Sequence, residues 1–260
     1  MSKFININIL VCGSSEGIGL QTAIEFSKNG GNITLFARNE KKLDNALKKL
    51  NTSYNQKHKF LVGDFNNYSN IKNIISKDLN KTKYNILINN SGGPKGGKII
   101  DSSEEEFINT FNRHLICNHI LTKKLINHMI KTKYGRIINI ISTSVKQPII
   151  GLGVSNTVRA AVAAWAKTLS LEIAINGITI NNILPGYTKT SRLDEIIRHK
   201  ANKLNIDIND VIKNLKSTVP LGRFANPDEI SKLAIFLASK DSEYINGVSI
   251  PVDGGRLTSL

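Results

Sequence analysis

Short apolar runs recur along the chain, each followed by a longer segment in which apolar side chains return every three or four residues. The runs fall at 5–11, 32–37, 60–62, 86–88, 136–141, 178–184 and 247–252. Their length and continuity predict strands buried on both faces. The segments between them carry helical stripes, such as Leu20, Ala23, Ile24 and Ser27, then Leu43, Ala46, Leu47 and Leu50, then Ile71, Ile74 and Ile75. Two longer helices are predicted at about 104–128, with Phe107, Phe111, His114 and Leu115, and at about 156–175, with Val158, Ala161, Val162, Trp165, Ala166 and Leu169. A closing helix is predicted over 227–238. Strand and helix alternating in this way predict an α/β fold, a doubly wound parallel sheet of about seven strands in a single domain. The alternation breaks once, at 190–219, where charged residues and two helical stretches form an excursion at the carboxyl edge of the sheet. Such an excursion is expected to be a lid over a ligand.

The turn after the first strand reads Cys12-Gly13-Ser14-Ser15-Glu16-Gly17-Ile18-Gly19. Gly13 allows a sharp exit from the strand, and Gly17 and Gly19 place no Cβ where a pyrophosphate or a neighbouring strand must come close. The helix that follows aims free N–H groups and its positive dipole end at an anion. Gly13, Ser14, Ser15, Gly17, Ile18 and Gly19 are therefore candidate contacts to a dinucleotide. At the end of the second strand, where NAD sites usually place a carboxylate for the ribose hydroxyls, the chain has Ala37 and then Arg38. Arg38 can stack on adenine and pair with a 2′-phosphate, which favours NADP(H) over NAD(H), while Glu16 argues the other way. Asp64 follows the third strand, and Asn89-Asn90-Ser91-Gly92-Gly93 ends the fourth. These residues suit a loop passing tightly under a cofactor, and equally an ordinary turn. Pro185, Gly186 and Thr188 are further candidates at the end of the sixth strand, next to Tyr187.

Composition narrows the alternatives. With 260 residues there is enough chain for one large α/β domain, and nothing in it resembles a linker. The two cysteines, Cys12 and Cys117, form no disulfide framework and are expected to be structural thiols in a reducing compartment. No apolar run has membrane-spanning length, and the chain enters its first strand without a leader pattern, so a cytoplasmic protein without a membrane partner is expected. The net charge of +15 raises the possibility of a nucleic-acid partner. The lysines are scattered over amphipathic helices, however, and no helix-turn-helix, zinc-finger or RNA-binding aromatic motif is present. No nucleic-acid partner is therefore expected, and an acidic ligand such as a phosphorylated cofactor or an acyl carrier benefits more from that field.

Taken together, these motifs resemble those of the short-chain dehydrogenase/reductase family along nearly the whole chain. The glycine turn resembles its GxxxGxG element, with Cys12 where threonine is usual. Asn89-Asn90-Ser91-Gly92 resembles its Asn-Asn-Ala-Gly, Pro185-Gly186 its Pro-Gly, and Val252-Asp253-Gly254-Gly255 its C-terminal signature. The resemblance is strongest to the β-ketoacyl-carrier-protein reductase branch. It implies a Rossmann fold, NADPH-dependent reduction of a small carbonyl compound or oxidation of an alcohol, a substrate in some cases linked to an acyl carrier, and a homotetramer or homodimer.

At the catalytic positions the chain departs from the family. Ser142 matches the family serine after the fifth strand, whereas the Tyr-x-x-x-Lys window reads Ser155-Asn156-Thr157-Val158-Arg159 and the asparagine position is His114. The chain resembles a divergent subgroup with a similarly altered tetrad. Ser142 is then expected to polarise a carbonyl, and Arg159 to bind the ribose and hold positive charge without shuttling protons. Ser155 and His114 are candidate parts of a substitute proton path. His114 can also simply fill space and bond the helix backbone, and Tyr187 is either a second phenol donor or packs on the cofactor. General acid catalysis is typically worth about 10²- to 10⁴-fold, so loss of the tyrosine leaves two readings open: a slower oxidoreductase, or a cofactor-holding module without turnover.

Overall fold

A computed structural model describes residues 3–259. Seven parallel strands form one sheet in the order β3-β2-β1-β4-β5-β6-β7. They are β1 (Asn8–Cys12), β2 (Asn32–Ala37), β3 (Lys59–Val62), β4 (Ile86–Asn89), β5 (Gly135–Ile140), β6 (Ile178–Pro185) and β7 (Ser249–Val252). The order reverses between β1 and β4, which leaves a crevice at their carboxyl ends, the place where doubly wound sheets bind ligands. Alternate side chains along each strand go to opposite layers. Ile9 and Val11 pack with Ala23, Phe26, Ile230 and Leu237 on one face, under α1 (Gly17–Lys28), α2 (Glu40–Leu47) and α9 (Pro227–Ala238). Leu10 and Cys12 pack with Ile71, Leu121, Leu125 and Ala166 on the other, under α3 (Tyr68–Asp78), α5 (Cys117–Thr132) and α6 (Gly153–Ile173). Each fully buried leucine or isoleucine contributes about 1.5–3 kcal/mol, so two packed faces make the sheet a rigid base for the loops at its edge.

Four strands are also tied together by side-chain amides. Asn89 Nδ2 donates to Asn139 Oδ1 at 2.9 Å, Asn139 Nδ2 to Asn182 Oδ1 at 2.8 Å, and Asn182 Nδ2 to Ser249 Oγ at 3.0 Å. The four are register partners from β4 to β7. A one-residue slip of any strand would break the row and turn a buried amide into apolar packing, so the ladder fixes register just below the crevice.

Several boundaries differ from the sequence expectation, β7 among them, which begins at Ser249 rather than at residue 247. The first strand begins at Asn8 rather than at residue 5, because Asn6 adopts φ 64 and Ile5 is 53% exposed, turning the chain before the sheet begins. β5 lies one residue earlier than expected. The helix expected at about 104–128 is α4 (Glu104–Phe111) and α5 joined by a π-helical stretch, Asn112–Ile116. That widened turn offsets the two halves and carries Arg113 and His114. The excursion at 190–219 is two helices, α7 (Ser191–Leu204) and α8 (Ile208–Ser217), packed on each other through Leu193, Ile197, Ala201, Val211 and Leu215.

Candidate active site

A cavity of about 530 Å³ runs along the carboxyl edge of the sheet, from the glycine turn to Ser142 and under α7. Its end at the glycine turn is closely packed. A Cβ on Gly13, where φ is +57, would lie 2.6 Å from Asn90 O, and one on Gly19 would lie 2.2 Å from Gly13 O and 2.7 Å from Asn90 Nδ2. Asn90 Nδ2 in turn donates to Cys12 O at 3.3 Å and to Gly13 O at 3.1 Å. The turn is thus wrapped on a side chain that belongs to the loop after β4. Ser15, Gly17 and Ile18 line the groove as expected. Two predicted contacts do not. Ser14 is fully buried and its Oγ accepts the Phe36 N–H at 2.9 Å, which holds the turn to β2. Gly19 lies beneath the turn and serves its packing.

At the adenosine end Arg38 and Asp64 line the cavity, as do Asn90, Ser91 and Gly92. Glu16 also borders it, but its carboxylate is bound by Lys42 at 3.0 Å. Arg113 was not singled out from the sequence. Its Nε donates to Asn66 Oδ1 at 2.8 Å and its Nη1 to Gly92 O at 3.2 Å, so the guanidinium ties the loops after β3 and β4 together across this end of the groove. Arg192, likewise missed, reaches from α7 to donate to Pro94 O at 2.6 Å and pairs with Glu195 at 3.1 Å. Thr190, at the base of the lid, stands beside the glycine turn: a Cβ on Gly17 would meet its Cγ2 at 3.3 Å. In total Arg38, Arg113, Arg159 and Arg192 border a cavity whose carboxylates, apart from Asp64, are already paired. Such a groove suits a polyanion.

Ser142, Ser155 and Arg159 come together at the opposite end. Ser142 Oγ accepts from Ser144 N at 3.1 Å, which leaves its hydroxyl proton free to point into the cavity. Ser155 makes no side-chain hydrogen bond with another described residue. Arg159 is buried and donates from Nη1 to Ile140 O at 3.3 Å. Burial first, and then the neighbouring Arg192, bring its pKa down to about 10, so it remains a cation at neutral pH. Pro185, Gly186 and Thr188 line the cavity, and Thr188 Oγ1 donates to Gly186 O at 3.1 Å. Tyr187 lines it too, packed edge-on against Phe224 of the lid core with ring centroids 5.9 Å apart.

His114 departs from both sequence readings. It is 4% exposed and does not border the cavity, so it has no direct route to a substrate oxygen. Nor does it bond the backbone of its helix: Nδ1 lies 2.7 Å from Ser91 Oγ, and Nε2 is buried with no partner among the described residues. Burial, and then the positive charges of Arg159 and Arg113, hold its pKa well below the usual value. The imidazole is therefore neutral at pH 7 and, set back from the cavity, is not placed to donate a proton to substrate directly. It reaches the groove only through Ser91. Both cysteines are buried and free, with pKa values raised chiefly by burial, as expected of structural thiols.

Residues 13–256 match the family model described as Enoyl-(Acyl carrier protein) reductase. The chain is similar to the 3-oxoacyl-(acyl-carrier-protein) reductase of Rickettsia conorii, with 32% identity over 254 residues, and to that of Chlamydia pneumoniae, with 30% over 250 residues. In both cases 95% of each chain is covered. Among solved structures it is similar to L-sorbose reductase from Gluconobacter frateurii complexed with NADPH and L-sorbose, with 26% identity, TM-score 0.92 and complete coverage of both chains.

Proposed function

We propose that this chain, which belongs to the short-chain dehydrogenase/reductase family of oxidoreductases, reduces a ketone with NADPH in the groove between the glycine turn and Ser142. The observation that carries the proposal is the phosphate cradle. Neither Gly13 nor Gly19 has room for a Cβ, Asn90 clamps the turn, and the groove beyond it is lined by four arginines. Those donors fit a dinucleotide. Arg38 at the end of β2 supports NADPH over NADH, and the Lys42–Glu16 pair supports the same choice by occupying the one carboxylate in the turn.

Bound NADPH would supply the hydride to the carbonyl carbon. The chain's own groups then manage the charge that develops on oxygen. Ser142 and Ser155 present hydroxyl donors, and each well-placed donor to such an oxygen is worth about 10²- to 10³-fold in rate. Arg159 provides a fixed positive charge in a desolvated setting, where it acts more strongly than it would in water. The proton arrives from solvent through a serine hydroxyl, because neither His114 nor Arg159 is placed to give one up. The missing phenol therefore costs rate, while polarisation and positioning remain.

Like the carrier-protein reductases it resembles, the chain is proposed to accept carrier-linked substrates in the cell interior. Among the described residues no helix is long and apolar enough to cross a membrane. Exposed Ile108, Leu171 and Ile175 on α4 and at the end of α6 support self-association into a dimer or tetramer. The direct test is titration of the purified protein with NADPH and with NADH, followed by nicotinamide fluorescence, and then addition of a ketone panel. NADPH should bind at least about tenfold more tightly, and Arg38→Ala should erase the difference, as expected for loss of a charge-assisted phosphate pair. Equal affinities in the wild type would refute the cofactor assignment, and no binding of either would refute the site.

A further inference from the structure

A second cavity, of about 490 Å³, lies between the lid and the loop after β5 and shares Tyr187 with the first. Its wall is polar and apolar in about equal measure, the apolar part formed among others by Pro148, Ile149, Ile150 and Leu204, and two of these are open to solvent: Ile150 at 103% and Leu204 at 58% exposure. Among the described residues its only charged lining groups are Lys200 and Arg256. Arg256 lies over the Tyr187 ring, with Cζ 4.6 Å from the centroid, and its Nε is buried without a partner among the described residues. Two other arginines near the lid do have an acid, Arg192 with Glu195 and Arg223 with Glu229.

A guanidinium is a planar fork of donors matched to the oxygens of a carboxylate or phosphate. Stacking on Tyr187 orients that fork, and the cavity provides no carboxylate to satisfy it. Tyr187 also borders the first cavity, which holds the serines and Arg159, so a ligand reaching past Tyr187 spans from the reacting carbonyl to the cation. We infer that this second cavity is a recognition site for an oxyanion, carboxylate or phosphate, borne on an apolar arm of the substrate, with Arg256 as the residue that selects charged ketones over neutral ones. The inference rests on the reductase reading and narrows it, because a neutral sugar ketone of the kind named for the sorbose reductase has nothing to place there.

Calorimetric titration of the NADPH-loaded protein tests the inference without requiring turnover. In the carboxylate arm the ligands are 7-oxo-octanoate, whose ketone and carboxylate lie at opposite ends of a methylene chain, and its methyl ester. In the phosphate arm they are 3-oxo-octanoyl-pantetheine with and without its 4′-phosphate. In at least one arm the charged ligand should bind about tenfold or more tightly than the neutral one, the range expected for a hydrogen-bonded charge. Arg256→Gln should abolish that preference and Arg256→Lys should keep part of it, with the melting temperature and NADPH affinity of each variant checking that the fold is intact. The arm that shows the preference identifies the source of the oxyanion. Equal binding of charged and neutral ligands in both arms, or a preference that survives Arg256→Gln, would overturn the inference, as would failure of all four to bind. A preference that depends on Arg256 but is accompanied by no NADPH oxidation would leave this site standing and sink the reductase reading instead.

Discussion

His114 makes a prediction that separates its structural role from a chemical one. In the folded protein its pKa is depressed, because protonation would put an imidazolium in a buried position beside Arg159 and Arg113. In the unfolded chain it titrates near about 6.5. Above that pH both states are neutral and the histidine adds no pH dependence. As pH falls below it, the unfolded chain takes up a proton that the native state refuses, and stability drops by up to about 1.4 kcal/mol per pH unit. Between pH 7.5 and 5.5 the loss attributable to this one group is about 1.4 kcal/mol, or a few degrees in melting temperature for a domain of this size. His114→Asn removes the titration while keeping an amide within reach of Ser91. Urea unfolding of both proteins at the two pH values measures the term as a difference of differences, and His58 and His128, whose pKa values are also lowered, cancel because they are present in both. The wild type should lose about 1 kcal/mol more than the variant on acidification, and its turnover should stay flat from pH 6.5 to 8. Equal acid sensitivity of the two would refute the neutral buried imidazole. A turnover that falls as pH rises through 6 to 7 and becomes flat in His114→Asn would make the histidine the proton donor after all.

Two further substitutions probe the groove. Gly19→Ala drives a methyl into Gly13 O and Asn90 Nδ2, so strain plus lost clamp bonds should cost about 2–4 kcal/mol and weaken NADPH binding, whereas Gly97→Ala, with nothing within 4 Å of its added carbon, should be near neutral; calorimetric melting temperatures decide, and an unaltered Gly19→Ala would refute the packing argument. Arg192→Gln cuts the strap from the lid to Pro94 O, and stopped-flow measurement should show NADPH leaving about tenfold or more faster, in line with a charged hydrogen bond. An unchanged release rate would mean that the lid is held by its apolar core alone.

What could be read from the chain divides along physical lines. Apolar continuity disclosed the parallel sheet and the glycine turn marked one end of the groove, because each depends on local pattern, while Ser142, Ser155 and Arg159, which line the same cavity, were legible only through the family resemblance. Ser14 could not be told from Gly13 and Ser15 on either side of it, which line the groove. Only a register-level fact, the Phe36 N–H directly opposite, turns its hydroxyl inward. Arg113 and Arg192 were invisible among many cations, since what distinguishes them is a backbone carbonyl far away in sequence, Gly92 for one and Pro94 for the other. The π turn at Asn112–Ile116 leaves no periodicity signal that differs from an α-helix over so few residues, yet it sets the environment of His114.

The clamp by Asn90 on the glycine turn also has a consequence for how the protein is made. On a growing chain the turn emerges early, but Ile9 must wait for Ile86 before the central strands can pair, and Gly13 O waits for Asn90. Parallel pairings across such separations are slow to form. No N-terminal fragment that stops short of the fourth strand therefore holds a nucleotide, and the first competent cradle appears together with the first completed crossing of the sheet. A ligand present at a hundredfold excess over its dissociation constant then adds about 2.7 kcal/mol to that state alone. In a cell rich in nicotinamide nucleotides, occupancy of the turn would act as a checkpoint on assembly, favouring chains whose central strands have found the right neighbours.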